Sequence, residues 1–126
     1  MLRCALLALS LTALAVPASA QGQRQFPATA LRGELVVTLP PEATLNRQPA
    51  RLAPGARIRG MDNMLVTSGA ALGQRLVVNY TLDLQGQMLD VWILSSTEAA
   101  RRPWPRSPQE AAAWQFNWDQ QIWSRP

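Results

Sequence analysis

Gln74–Ser96, QRLVVNYTLDLQGQMLDVWILSS, is the stretch whose reading decides the fold. Leu76, Val78, Tyr80, Leu82 and Leu84 fall on one side of an extended chain and Asn79, Thr81 and Asp83 on the other, a period of two rather than 3.6. Asp83-Leu84-Gln85-Gly86 supplies a turn, and Met88 to Leu94 runs back. Two registers compete. A two-residue turn at Gln85-Gly86 sets Val78 opposite Ile93, Tyr80 opposite Val91 and Leu82 opposite Leu89. A three-residue loop with a glycine bulge sets Val78 opposite Trp92 and Tyr80 opposite Asp90. The first demands positive φ at Gln85, so the second is preferred. On the returning strand Met88, Trp92 and Leu94 share one side and Leu89, Val91 and Ile93 the other, which predicts cover on both faces. Only the C-terminal tail carries enough large apolar groups to cover the outside.

Outward from this hairpin, Gln21 to Arg32 has no periodicity and is expected to be a loosely docked leader. Glu34 to Leu39 reads as a strand stopped by Pro40-Pro41. Short strands are expected around Thr44-Leu45, over Ala56–Arg59 and over Met64–Thr67, with Ala53-Pro54-Gly55-Ala56 as a type II turn between the first two. After Ser96, Thr97–Arg102 forms a turn or two of helix. Ser107-Pro108-Gln109-Glu110 then opens a helix with a capping residue, a proline at the first position and a reaching carboxylate. Gln115 to Trp123 closes as a small hairpin or strand. The sum is a mainly β chain: a small antiparallel β-barrel or roll of about six strands, with a short C-terminal helix and a Trp-rich tail. Residues 1–20 are set apart as a signal peptide and 21–32 as the leader. Residues 33–126 form one domain, capped by 97–126.

The signal peptide rests on Arg3, the apolar run Leu6–Val16 and Ala18-Ser19-Ala20 before Gln21. Export to the periplasm or outside the cell is expected, and the mature chain has no expected transmembrane anchor. Cys4, the single cysteine, falls in the signal peptide, so no disulfide is expected. All twelve basic residues are arginine, and removing Arg3 leaves eleven against eight acids, a net charge of +3. That is too mild for a dedicated nucleic-acid binder, and no nucleic-acid partner is expected.

Without His, Lys or a mature Cys, the usual general base, Schiff-base former and thiol nucleophile are missing; no catalytic residue, cofactor or metal is expected, and the chain reads as a non-enzyme. Asp83 and Asp90 are a conceivable carboxylate pair, but Asp83 as turn cap and Asp90 as an arginine's partner is the better reading. Ser95-Ser96 reads as a helix cap. Asn79-Tyr80-Thr81 matches a glycosylation pattern inside a strand and is discounted. Arg47, Arg51, Arg57 and Arg59 straddle Pro54-Gly55, and a hairpin there gathers guanidinium forks suited to phosphate or carboxylate. Trp104, Trp114, Trp118 and Trp123 are either the missing cover or a stacking platform for sugars. Cover is preferred, with Trp104, between two prolines, the one expected at the surface.

From Leu76 onward, Asp83, Gly86, Ser95-Ser96 and Trp114-Gln115-Phe116 give an order of strand, turn, strand, helix and aromatic strand that resembles the C-terminal domain of TonB-type energy-transducing proteins. That resemblance implies a partner contacted by strand addition. The break at Pro103-Trp104-Pro105 departs from it. As a whole the chain resembles small exported proteins of proteobacteria, through Pro49–Arg59 and Val91–Leu94, a likeness that brings no activity with it. The expected function is an exported interaction domain for an envelope protein or an anionic envelope component, with Arg47, Arg51, Arg57, Arg59 and Trp104 as its surface. Alternatives are a glycan-binding or, less favoured, glycan-processing protein using exposed Trp and the Asp83/Asp90 pair, or an assembly factor with Glu34–Leu39 as an open strand edge.

Overall fold

The computed structural model describes residues 23–126, so the signal peptide expected over residues 1–20 lies outside the described residues. The chain is mainly β, as expected. Five strands close into a barrel: β1 (Leu31–Leu39), β2 (Glu42–Leu45), β3 (Gln48–Arg59), β5 (Leu76–Leu82) and β6 (Met88–Ile93). A two-residue strand, β4 (Leu65–Val66), hangs on the far end of β3. The pairing cycle runs β1, β2, β3, β6, β5 and back to β1, antiparallel except where β3 meets β6. This connectivity is that of the five-stranded Greek-key barrels of which the OB-fold is one.

Closure depends on β1 serving two neighbours. Leu31–Leu35 pairs with β5, and Leu35–Leu39 pairs with β2. Gly33 lies in the first of these segments, where an added Cβ would stand 2.8 Å from Leu45 Cδ1 and 3.1 Å from Tyr80 Cε1. A side chain there would compete with the core, so the strand passes through glycine and begins at Leu31 rather than after Gly33. Along Glu34–Leu39, β2 lies on one side from Leu35 onward, while on the other side β5 reaches only Leu35 and a single bridge joins Val37 to Leu72. Leu31, Leu35, Val37, Leu52, Ile58, Val78, Tyr80, Met88 and Val91 fill the interior.

The hairpin of β5 and β6 combines the two competing registers. Val78 faces Ile93 and Tyr80 faces Val91, as a two-residue turn requires, yet Leu82 faces Met88. Leu89 and Asp90 together oppose Thr81, a β-bulge whose free Asp90 N–H donates to Thr81 Oγ1 at 3.1 Å. The extra residue lets the turn widen, so that Gly86 alone takes positive φ (78°) and Gln85 is spared. The bulge also shifts the alternation: Met88 and Val91 point into the barrel, whereas Trp92 and Leu94 point out.

A second layer covers that outer face. α1 (Ser96–Ala99) and α2 (Pro108–Ala113) lead to a hairpin of β7 (Gln115–Asn117) and β8 (Ile122–Ser124). Ser95 caps α1 in a reciprocal box with Glu98, and Ser107 caps α2 with Pro108 at its start. Trp104 and Trp123 pack here with Leu94, and Trp92, Trp114 and Phe116 complete the cluster. Met88, expected beneath this cover, belongs to the barrel interior instead.

The cap has a component from the other end of the chain. Phe26 is buried between Trp92 and Trp104, with ring centroids 5.6 and 5.9 Å away. Its amide donates to Gln121 Oε1 at 2.8 Å. Residues 23–32, expected within a loosely docked leader, are therefore packed from Arg24 onward. The segment earns its place by burying an aromatic ring between two others.

Candidate functional site: a basic groove at the lip of the cap

The cap covers part of the outer face formed by β5, β1 and β2. At the covered part, Arg32 and Asn79 point outward from neighbouring strands, and Arg32 Nε donates to Asn79 Oδ1 at 2.9 Å. Arg32 Nη1 reaches the carbonyls of Ala99 and Arg101 at 3.2 and 3.0 Å, so the guanidinium satisfies acceptors at the C-terminal end of α1. Its cation also lies 5.0 Å from the centre of the Trp104 ring. Burial, together with the nearby positive charges of Arg102 and Arg101, lowers the Arg32 pKa to about 10 against the opposing pull of Glu98. Arg32 is thus still charged at neutral pH and fully engaged with protein.

Glu98 is fixed from the opposite side. Arg24 grips it with two bonds, Nη2 to Oε1 at 2.6 Å and Nε to Oε2 at 2.9 Å. Burial alone would raise the Glu98 pKa, but the Arg24 hydrogen bonds, the Ser95 backbone amide and the Arg24 charge hold it below the ordinary carboxylate range. Arg24 also bonds the carbonyls of Gly60 and Ile93, each at 2.7 Å, so this one residue ties the N-terminal segment, β6 and α1 together.

Where the cap stops, a groove of about 410 Å³ opens between its lip and the sheet. Arg102, Arg106 and Arg125 stand on the cap side, with Gly33, Glu34 and Val77 on the sheet side. Two smaller depressions of about 280 Å³ each continue it along the sheet. Arg106 and Arg47 border one, Arg47 and Arg75 the other, and Glu34 lines all three. These five arginines are exposed. The ion pairs among the described residues are Arg24–Glu98, Arg51–Glu42 and Arg57–Asp90, leaving Glu34 without one. The groove therefore carries five exposed cations against one acid. Guanidinium forks in such a place bind carboxylate or phosphate.

Of the residues singled out from sequence as a binding surface, Arg47 lies here exposed and Trp104 lines the groove as a buried side chain. Arg47 occupies the β2–β3 turn with φ of 66°, beside Asn46, whose Oδ1 accepts from Arg106 Nη2 at 2.9 Å. The expected arginine hairpin does not form, because Pro54-Gly55 produces a bulge inside the continuous strand β3 and the chain never reverses. Arg51 pairs with Glu42 at 3.3 Å and Arg57 with Asp90 at 3.2 Å; both arginines are more than half exposed, so each pair adds little. Arg59 donates to the Asn63 carbonyl at 3.3 Å. Asp83 accepts from the amides of Gln85 and Gln87, each at 2.9 Å, and is the turn cap anticipated. Trp104, expected at the surface, is buried: its flanking prolines carry it inward, and its Nε1 donates to the Ala30 carbonyl at 2.9 Å.

Arg75, Arg102, Arg106 and Arg125 were missed, since they come from separate parts of the chain and meet only after folding. The single local signal was the run Arg101-Arg102-Pro103-Trp104-Pro105-Arg106. No group of three or more His, Cys, Asp or Glu among the described residues is placed to hold a metal ion. No family model, curated protein or solved structure matches the chain.

Proposed function

We propose that this protein is a non-enzymatic interaction domain of the periplasm or the extracellular space that holds an anionic envelope component in the arginine groove. One observation carries the reading: exposed arginines from the cap (Arg102, Arg106, Arg125) and from the barrel (Arg47, Arg75) border one groove around a single unpaired acid. A barrel architecture by itself carries no function, so the reading rests on the groove.

Affinity capture from envelope extract tests it. The tagged mature chain is expected to retain an anionic component at about 50 mM salt and to release it at about 500 mM, where exposed charges are screened. The double variant Arg47→Glu/Arg102→Glu should lose that capture, whereas Arg51→Glu/Arg57→Glu should keep it. The opposite result, with loss confined to the second variant, would remove the groove as the binding surface.

A further inference from the structure

We infer that the ligand of this groove is a linear acidic polysaccharide, laid along the outer face of β1 from the lip of the cap toward Val36. The inference rests on reading the groove as an anion site and adds the shape and chemistry of the anion.

The charge is divided among the three depressions. No one depression gathers all the arginines: Arg102 and Arg125 border the first, Arg106 joins the first to the second, Arg47 the second to the third, and Arg75 closes the third. A compact anion in any of them meets part of the set. From Arg32 to Val36 is four residues of strand, about 13 Å at 3.3 Å per residue. A chain running that distance passes all three depressions and so the five arginines that border them.

Among the described residues, the groove offers no free stacking surface. Single-stranded nucleic acids are held by aromatic faces beneath their bases as well as by charge, and neutral sugars stack on the same faces, whereas a uronate held through its carboxylates by arginine forks needs none. Trp104, the one aromatic side chain bordering the groove, is buried, and the Arg32 cation lies over its ring. The Trp114 ring is likewise taken, by Arg125 at 5.1 Å. The exposed Trp118 belongs to the cap hairpin and borders none of the three depressions.

Glu34 separates glycans from denser polyanions. It lines all three depressions, so a polymer charged at every short repeat, such as polyphosphate, must place charge near its carboxylate. A uronate chain spaces its carboxylates with hydroxyl groups, and hydroxyls donate to a carboxylate. Thr44, in the third depression, offers a further hydroxyl partner.

The test is calorimetric titration of the mature chain, at about 50 mM salt, with galacturonate oligomers of one, four and ten sugars. Affinity should rise about tenfold or more from one sugar to four, as added contacts become intramolecular. Arg47→Glu/Arg102→Glu should abolish the gain while leaving thermal unfolding unchanged. Glu34→Gln should tighten polyphosphate more than the four-sugar uronate. Equal affinity for one sugar and ten would overturn the extended ligand yet leave an anion site standing. Tighter binding of ten-residue oligothymidylate or of polyphosphate than of the ten-sugar uronate would overturn the polysaccharide. Failure of every anion to bind would remove the proposed function as well.

Discussion

Arg24 and Glu98 show what one pair of residues does here. They are 74 positions apart, and their two-point contact is almost removed from water, with side chains 12 and 11 % exposed. Glu98 additionally accepts from the Ser95 amide, so its loss removes a helix cap and leaves a buried cation unpaired. Glu98→Ala is therefore expected to cost about 3 kcal/mol in urea unfolding at pH 7. The pH dependence follows from the lowered pKa of Glu98. A carboxylate lowered in the folded state stabilises fully above its unfolded pKa of about 4.3, and that stability is lost as pH falls through the folded value. Glu98→Gln should remove this contribution, so its unfolding free energy should fall less steeply than that of the parent chain below about pH 4. Equal acid slopes in the two proteins would refute the assignment. The Ser107 cap and the Pro108 start of α2 were legible in the sequence because they are local, although the expected return bond from the Ser107 amide to the Glu110 carboxylate is not made. The Arg24–Glu98 pair was not legible, because nothing local links them.

Among the elements, β1 and β6 decide the architecture, and each depends on a departure from regular alternation. The absence of a Cβ at Gly33 lets Leu45 and Tyr80 approach, which places the first half of β1 against β5. Gly33→Ala is expected to destabilise by about 1–3 kcal/mol, measured by denaturant unfolding, since the added methyl overfills that contact. A neutral or stabilising effect would mean that Leu45 swings aside freely. In β6, the bulge at Leu89-Asp90 sends Trp92 and Leu94 to the cap after Met88 and Val91 have entered the barrel. Strand identity at both elements was legible from period-two patterning. Register was not, because a bulge costs one residue of alternation and the sequence does not mark which residue is extra.

At the scale of the molecule, the protein is a barrel with an aromatic lid, and the lid is closed by Phe26 from the opposite end of the chain. Phe26→Ala should cost about 3–5 kcal/mol, a large share of the stability of a domain this size, and should increase acrylamide quenching of the cap tryptophans. A loss under about 0.5 kcal/mol, the range for surface changes, would instead indicate a segment resting on the surface. The sequence by itself determined the mainly β class, the principal hairpin, both helix starts and the covering role of the tryptophans, because those depend on alternation and capping between residues a few positions apart. Only the tertiary structure decided the parallel closure of β3 on β6, the docking of Arg24 and Phe26, and the meeting of five arginines around Glu34. Those depend on contacts between distant segments, fixed by a bulge in β6 and a missing Cβ in β1, and the exposed polar residues of the groove carry no periodic pattern from which their convergence can be read.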